Sequence, residues 1–288
     1  MKILILGASG LIGSTVLRVI ASTTKWDVVG VMRSHNSGDL KFPASADLVS
    51  GVDLTHSDHV MKIFTQFRPS VVINCAGLTK HSDQADDPLV ALPINAIFPH
   101  RLALMCDLFN SRLIHISSDC VYSGSEGSYS EVDIPDATDL YGISKAVGEA
   151  KAGSAVTLRT STIGHESRSK AGLLEWFLGQ KNECFGFSKA IFSGLPTVVL
   201  AQVIRDVVIP NKDLSGLYNL AAEPIDKLSL LKLISEVYGK KIKILEDSSF
   251  AIDRSLNSSK FKNETGFTPH GWEDLVKIMY EDYIGDHN

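Results

Sequence analysis

The sequence predicts an α/β fold, a doubly wound parallel sheet covered by helices on both faces and followed by a smaller C-terminal α/β unit. Three observations carry that prediction. Short β-branched runs alternate with longer amphipathic stretches through the first half; a glycine-rich turn joins the first run to the first helix; and the alternation breaks after Arg159, to return as a shorter α/β pattern. With 288 residues, 44% of them hydrophobic and 21% charged, the chain has the material for a substantial core.

The run at 2–6 (KILIL) reads as the first strand, bounded by Gly7, with an amphipathic helix at 11–21 behind it. A strand at 27–32, a third strand ending before Asp53, a helix at 56–67 and a strand at 70–74 continue a βαβ order. Parallel pairing follows, because each crossover passes through a helix. A helix at 94–109, a strand at 113–117, a helix at 141–151 and a strand at 155–160 extend the pattern. Beyond it, a Gly/Ser-containing segment, a short helix at 173–179 and aromatic-rich sequence through Phe192 suit a lid or second unit better than further central sheet. A strand at 217–221, a helix at 229–238 and a strand at 241–245 read as that second unit, ahead of a final helix at 271–283. Residues 1–160, completed by part of 190–222, are expected to form the first domain, and 161–189 with 223–288 the second.

Charge and cysteine usage exclude several classes. A formal net charge of −5 leaves no basic footprint for nucleic acid or an anionic membrane surface. Cys75, Cys106, Cys120 and Cys184 show neither CxxC nor Cys/His ligand spacing, so no metal site or disulfide framework is expected, and reduced thiols in a cytoplasmic protein are. The four apolar residues at 3–6 are too few for a signal-peptide core, and no apolar run approaches the roughly 18 residues of a membrane span.

Gly7, Gly10 and Gly13 form GASGLIG between the first strand and the first helix. Glycines there permit a tight turn, backbone approach to a pyrophosphate and close helix–strand packing, while the helix N-terminus offers free N–H groups. Ser9, Leu11 and Ile12 share that turn and count with the glycines as dinucleotide-contacting positions. This is a Rossmann-type arrangement. About 20 residues on, where an NAD binder carries an acid, the chain reads Val31-Met32-Arg33-Ser34. An acid would repel a 2′-phosphate and Arg33 can pair with it, so the expected cofactor is NADP(H). Asp53 and Leu54 stand where a carboxylate accepts from the adenine amino group, or where Asp53 caps the next helix.

Tyr141 and Lys145 leave one helix face about a turn apart, and a neighbouring ammonium is expected to lower the phenol pKa. Ser118 ends the predicted strand at 113–117, at the carboxyl edge where open α/β sheets bind ligands. Hydroxyl, phenol and ammonium are therefore expected to converge on a nicotinamide.

GASGLIG, Asn74-Cys75-Ala76-Gly77, Asn95, SSDCVY at 117–122, YGISK at 141–145 and LRTS at 158–161 follow one another in family order. The chain resembles extended short-chain dehydrogenase/reductases, and among them is most similar to the dTDP-4-dehydrorhamnose reductase family over nearly its whole length. The resemblance implies that Tyr141 protonates the developing alkoxide, Lys145 holds the nicotinamide ribose and Ser118 hydrogen-bonds the substrate oxygen. Cys75, Ala76 and Gly77 would lie along the cofactor, Asn95 would organise helix and water, and Tyr122 would line the sugar site or pack.

The implied substrate is a nucleotide-diphosphate sugar. Related 4,6-dehydratases carry Asp-Glu after the Ser/Thr, whereas this chain has Asp119-Cys120, with Asp119 left as a substrate-contacting candidate. NADPH-dependent reduction of a 4-keto-6-deoxy sugar is the leading expectation. A UDP-2-acetamido-4-keto-6-deoxyhexose reductase, an epimerase and a non-catalytic NADP-binding regulatory subunit are the alternatives, and a homodimer is the candidate assembly. The chain departs from the family at Asp253-Arg254-Ser255, where an Arg-Pro precedes the serine, and at His165-Glu166, where an aromatic-glycine turn stands. Arg254, with Lys189, is the candidate diphosphate ligand.

Overall fold

The computed structural model describes residues 1–34, 42–80, 82, 84–150, 153–166 and 171–287. Strands β1 (Lys2–Leu6), β2 (Asp27–Val31), β3 (Ala46–Val49), β4 (Val71–Asn74), β5 (Arg112–Ile116) and β6 (Val156–Arg159) join Gly216–Asn219 in one sheet. All its pairings are parallel, in the spatial order Gly216–Asn219, β6, β5, β4, β1, β2, β3. The order reverses between β1 and β4, so the loops leaving those strands open a crevice at their carboxyl ends.

Alternation along β1 explains why both faces are covered. Ile3 and Ile5 enter one core with Val16, Leu17 and Ile20 of α1 (Leu11–Thr23). Leu4 and Leu6 enter another with Phe64 of α2 (Ser57–Phe67) and with Phe98 and Leu102 of the helix Pro88–Leu108. That last helix is long and apolar enough by length and composition to cross a membrane, contrary to the sequence expectation, but it lies against the sheet through Phe98, Leu102 and Cys106. It starts earlier than expected because Asp87 caps it, accepting from Leu89 N at 2.9 Å, and Pro88 follows at its first position.

Three expectations about the later chain are corrected. The segment at 217–221, read as a strand of the second unit although part of 190–222 is also expected to complete the first domain, is the edge strand Gly216–Asn219 of the first sheet, paired with β6, whose outer ladder groups need partners. The aromatic-rich stretch is a ten-residue strand, Glu183–Phe192, with Cys184, Gly186, Ala190 and Phe192 turned inward. Exposed Phe185 masked that alternation in the sequence. This strand is the centre of a second sheet, antiparallel to Ile225–Asp226 and parallel to Lys243–Asp253, the latter much longer than expected. The predicted helix at 141–151 is Leu140–Val147, and its expected end at Lys151 lies outside the described residues.

Candidate active site

At the crevice, Gly7 has φ +76°, and a Cβ there would stand 2.7 Å from Ala76 Cα, so the β1 and β4 loops touch at a residue that must be glycine. Helix α1 begins after Gly10 with neither a capping side chain nor an acidic residue in its first turn, among the described residues. Its free N–H groups and positive dipole end therefore suit an anion. The cleft in front holds about 610 Å³ and is lined by Gly7, Ser9, Gly10, Leu11, Arg33, Asp53, Leu54 and residues 75–77. Ile12 and Gly13 do not line it: Ile12 packs against the main core, and Gly13 lies on the Gly7 carbonyl.

Arg33 is exposed, two residues beyond the end of β2. Asp53 does not cap α2, whose N-cap is His56. Its carboxylate accepts from Thr55 N at 2.9 Å and from the Thr55 hydroxyl at 2.7 Å, and that hydroxyl holds its pKa below the usual carboxylate range. An uncapped helix end, a cleft of this size and an exposed guanidinium are the donor set that a 2′-phosphorylated dinucleotide needs.

The candidate catalytic residues gather where β5 ends. Ser118, extended at φ −142°, accepts from Cys120 N at 3.1 Å and donates to Asp119 Oδ1 at 3.1 Å, which fixes the turn after the strand. The helix Leu140–Val147 is capped by Asp139, whose carboxylate accepts from Gly142 N at 2.8 Å. Gly142 packs on the Cys120 carbonyl with no room for a Cβ. That contact, which sequence reading missed, sets the helix that carries Tyr141 against the turn that carries Ser118.

Lys145 Nζ donates to Ile116 O at 2.7 Å and is buried under Gly77, where a Cβ would sit 3.9 Å away. Burial pushes its pKa down to about 8, against the pull of Glu149. Burial pushes the Tyr141 phenol up, which corrects the expectation of a lowered value; the ammonium is aimed at the Ile116 carbonyl rather than at the phenol. Functions of the ammonium are thus present below about pH 8 and lost above it. We expect kcat/KM to fall above about pH 8 with the slope of one proton, and Lys145→Arg, which stays charged, to lack that limb in a pH–rate profile.

Beneath this group lies a buried network. Glu149 accepts from Arg159 Nε at 2.6 Å, from Arg159 Nη2 at 2.7 Å and from the Ser117 hydroxyl at 2.9 Å. Arg159 Nη1 donates to the Tyr122 hydroxyl, which itself donates to Ser130 O at 2.8 Å. Tyr122 is fully buried and stacked on Tyr129 at 4.0 Å, so it packs and is not part of a sugar site. Asn95, in a π-helical turn, accepts from Leu78 N at 2.8 Å and donates to the Ser144 hydroxyl at 3.2 Å, tying the β4 loop to the tyrosine helix.

Asp119 is half-buried; desolvation raises its carboxyl pKa, and it lies within electrostatic reach of Lys80 and Arg254. Arg254 Nη1 stands 3.5 Å from Cys120 Sγ, and its buried Nε has no partner among the described residues. Lys227, first residue of the helix Lys227–Val237, is in reach of the same groups and is pushed down by burial. Three cations thus stand within electrostatic reach of one carboxylate beside Ser118. Lys80 and Lys227 were missed; the readable signal was Asp226 capping Ser229 N at 2.8 Å, which starts a helix at Lys227. Lys189 is exposed on Glu183–Phe192 and is not brought to this group.

Comparison with known proteins places this geometry. A dTDP-4-dehydrorhamnose reductase of Aggregatibacter actinomycetemcomitans is 25% identical over 96% of this chain and 97% of its own length. Methionine adenosyltransferase 2 subunit beta of Bos taurus is 31% identical over 51% of this chain and 41% of its own. The crystal structure of a dTDP-4-dehydrorhamnose reductase from Bacillus anthracis in complex with NADP shares the fold, with a TM-score of 0.79 at 21% identity over 98% of this chain and 99% of that one. The family model described as the RmlD substrate binding domain matches residues 1–284, so the chain belongs to that family of extended short-chain dehydrogenase/reductases.

Proposed function

We propose that the protein is an NADPH-dependent reductase of the 4-keto group of a nucleotide-linked 4-keto-6-deoxy sugar. The observation that carries this reading is that Ser118, at the carboxyl end of β5, faces the helix that bears Tyr141 and Lys145, with the Lys145 ammonium anchored on Ile116 O, beside a cleft fitted for a dinucleotide phosphate. Bound in that cleft, NADPH would supply the hydride. Ser118 holds the carbonyl oxygen, and Tyr141 delivers its phenolic proton to that oxygen as the alcohol forms. The raised phenol pKa keeps the proton in place for reduction at neutral pH, whereas alcohol oxidation would need the phenolate. Gly7, Ser9, Gly10, Leu11 and residues 75–77 hold the dinucleotide, and Arg33 the 2′-phosphate.

The cations Lys80, which is exposed, and Lys227 and Arg254, which are half-buried, support a substrate with a diphosphate, because together they outnumber the one carboxylate within their electrostatic reach and an anion would balance them. Full-length similarity to a dTDP-4-dehydrorhamnose reductase supports the sugar class. A panel of dTDP- and UDP-linked 4-keto-6-deoxy sugars assayed for NADPH oxidation tests the reading, and no turnover with any member would sink it. The half-length similarity to methionine adenosyltransferase 2 subunit beta favours a second reading, a regulatory NADP-binding subunit, which would bind cofactor and turn over nothing. The assembled Ser118, Tyr141 and Lys145 favour the enzyme. We further propose a reducing, cytoplasmic setting, which the four free thiols suit, and a homodimer, which sedimentation would read.

Two substitutions separate the ligand sites. Arg33→Ala should weaken NADPH by about 10- to 100-fold, the equivalent of one or two charge-assisted hydrogen bonds, and leave NADH nearly unchanged. Equal losses for both cofactors in a titration would place Arg33 away from the 2′-phosphate. Arg254→Ala should raise KM for the sugar nucleotide about 10-fold with NADPH affinity intact. Steady-state kinetics with each substrate varied in turn would reveal the reverse pattern.

A further inference from the structure

A second cluster of titratable side chains stands on the far wall of the cofactor cleft. His165 lines that cleft beside Glu166. Its Nδ1 lies 2.8 Å from Glu175 Oε1 and its Nε2 lies 2.9 Å from the Tyr238 hydroxyl, while its ring stacks on Tyr283 at 3.9 Å. Both charge states of the imidazole satisfy these contacts. Nδ1–H donates to the carboxylate, and at Nε2 either the phenol donates to neutral histidine or the imidazolium donates to the phenol. The ring is therefore held in one orientation at the junction of the 164–166 turn with three helices of the later chain, Leu173–Gly179, Lys227–Val237 and Trp272–His287.

The helix Lys227–Val237 joins this junction to the substrate side. Lys227 at its start is in electrostatic reach of Asp119 and Arg254, and Tyr238, its C-cap, holds His165. Eleven helical residues span about 16 Å, and a hydrogen-bonded helix moves as one body, so displacement at Lys227 is felt at Tyr238. The opposite wall is tied to the same unit: Arg18 of α1 pairs with Asp282 of the final helix at 2.6 Å, one residue before Tyr283.

We propose that His165 is a positioning residue that couples the two ligand sites, so that a diphosphate held at Lys227 and Arg254 draws the 164–166 turn onto the cofactor and tightens its binding. The inference rests on the functional reading above. By linkage, the cofactor then tightens the nucleotide by the same factor.

The test is binding rather than turnover. NADPH dissociation constants would be measured by fluorescence titration, alone and with saturating UDP or dTDP as the probe, for wild type, His165→Ala and Tyr238→Phe. In wild type, one of the probes should tighten NADPH by about 5-fold or more. His165→Ala should weaken NADPH alone and cut that enhancement to less than about 2-fold. Tyr238→Phe removes a single oxygen, and should lose most of the enhancement while a thermal melt stays at the wild-type temperature. It keeps the test decisive if His165→Ala does not fold. Full enhancement in Tyr238→Phe, or none in wild type that binds NADPH, overturns the coupling and leaves the functional reading standing. Wild type that binds no NADPH overturns both.

Discussion

Tyr141→Phe should lower turnover by about 10² to 10⁴, the range for losing a positioned general acid, with NADPH affinity nearly unchanged. The substitution removes one oxygen and leaves the helix Leu140–Val147 as it is, since that helix is set by the Asp139 cap and by Gly142 against the Cys120 carbonyl. Burial holds the phenol proton in place through the neutral range. The check is single-turnover NADPH oxidation at saturating substrate. A rate within a few-fold of wild type would remove Tyr141 from the reaction. Ser118→Ala serves as the companion measurement, because Ser118 also holds the turn through Cys120 N. It should raise KM and lower kcat together.

The largest stability effect is expected at Glu149. Its carboxylate binds the Arg159 guanidinium through two oxygens, and both side chains are almost completely buried. Removing one member leaves the other charged and unpaired in the interior, which costs about 3–5 kcal/mol, whereas replacing both by apolar residues is often neutral. Glu149→Leu should therefore destabilise by about that amount in a urea melt, and Glu149→Leu with Arg159→Met should recover much of it. Equal destabilisation in the single and double variants would show that packing, not charge, sets the loss. The single variant should also misplace Ser118, because Glu149 accepts from Ser117.

The parts of this protein that sequence determined are those in which a local rule and the global fold agree. The alternating strands, the glycine turn at Gly7, the absence of an acid near Arg33 and the one-turn spacing of Tyr141 and Lys145 all depend on residues a few positions apart. The strands, the glycine turn and the helix that bears Tyr141 and Lys145 stand in the structure close to where their spacing predicted. The strand Glu183–Phe192 was not legible, and Gly216–Asn219 only as part of a stretch completing the first domain, because a strand's partners come from distant sequence and the alternation of a half-exposed strand is blurred by residues such as Phe185.

Tertiary structure alone decided what surrounds the candidate catalytic groups. The motif around Ser118 contains Tyr122, but motif proximity says nothing about burial. Folding turns that ring inward onto Tyr129 and spends its hydroxyl on Ser130 and Arg159. The sign of the Tyr141 shift depended on desolvation, which sequence spacing does not report, and on Lys145 reaching the Ile116 carbonyl instead of the phenol. Lys80, Lys227 and Arg254 come from three separated segments and carry no common motif. They become a site because the chain path brings them to one carboxylate, and a charge is felt through space rather than along the chain.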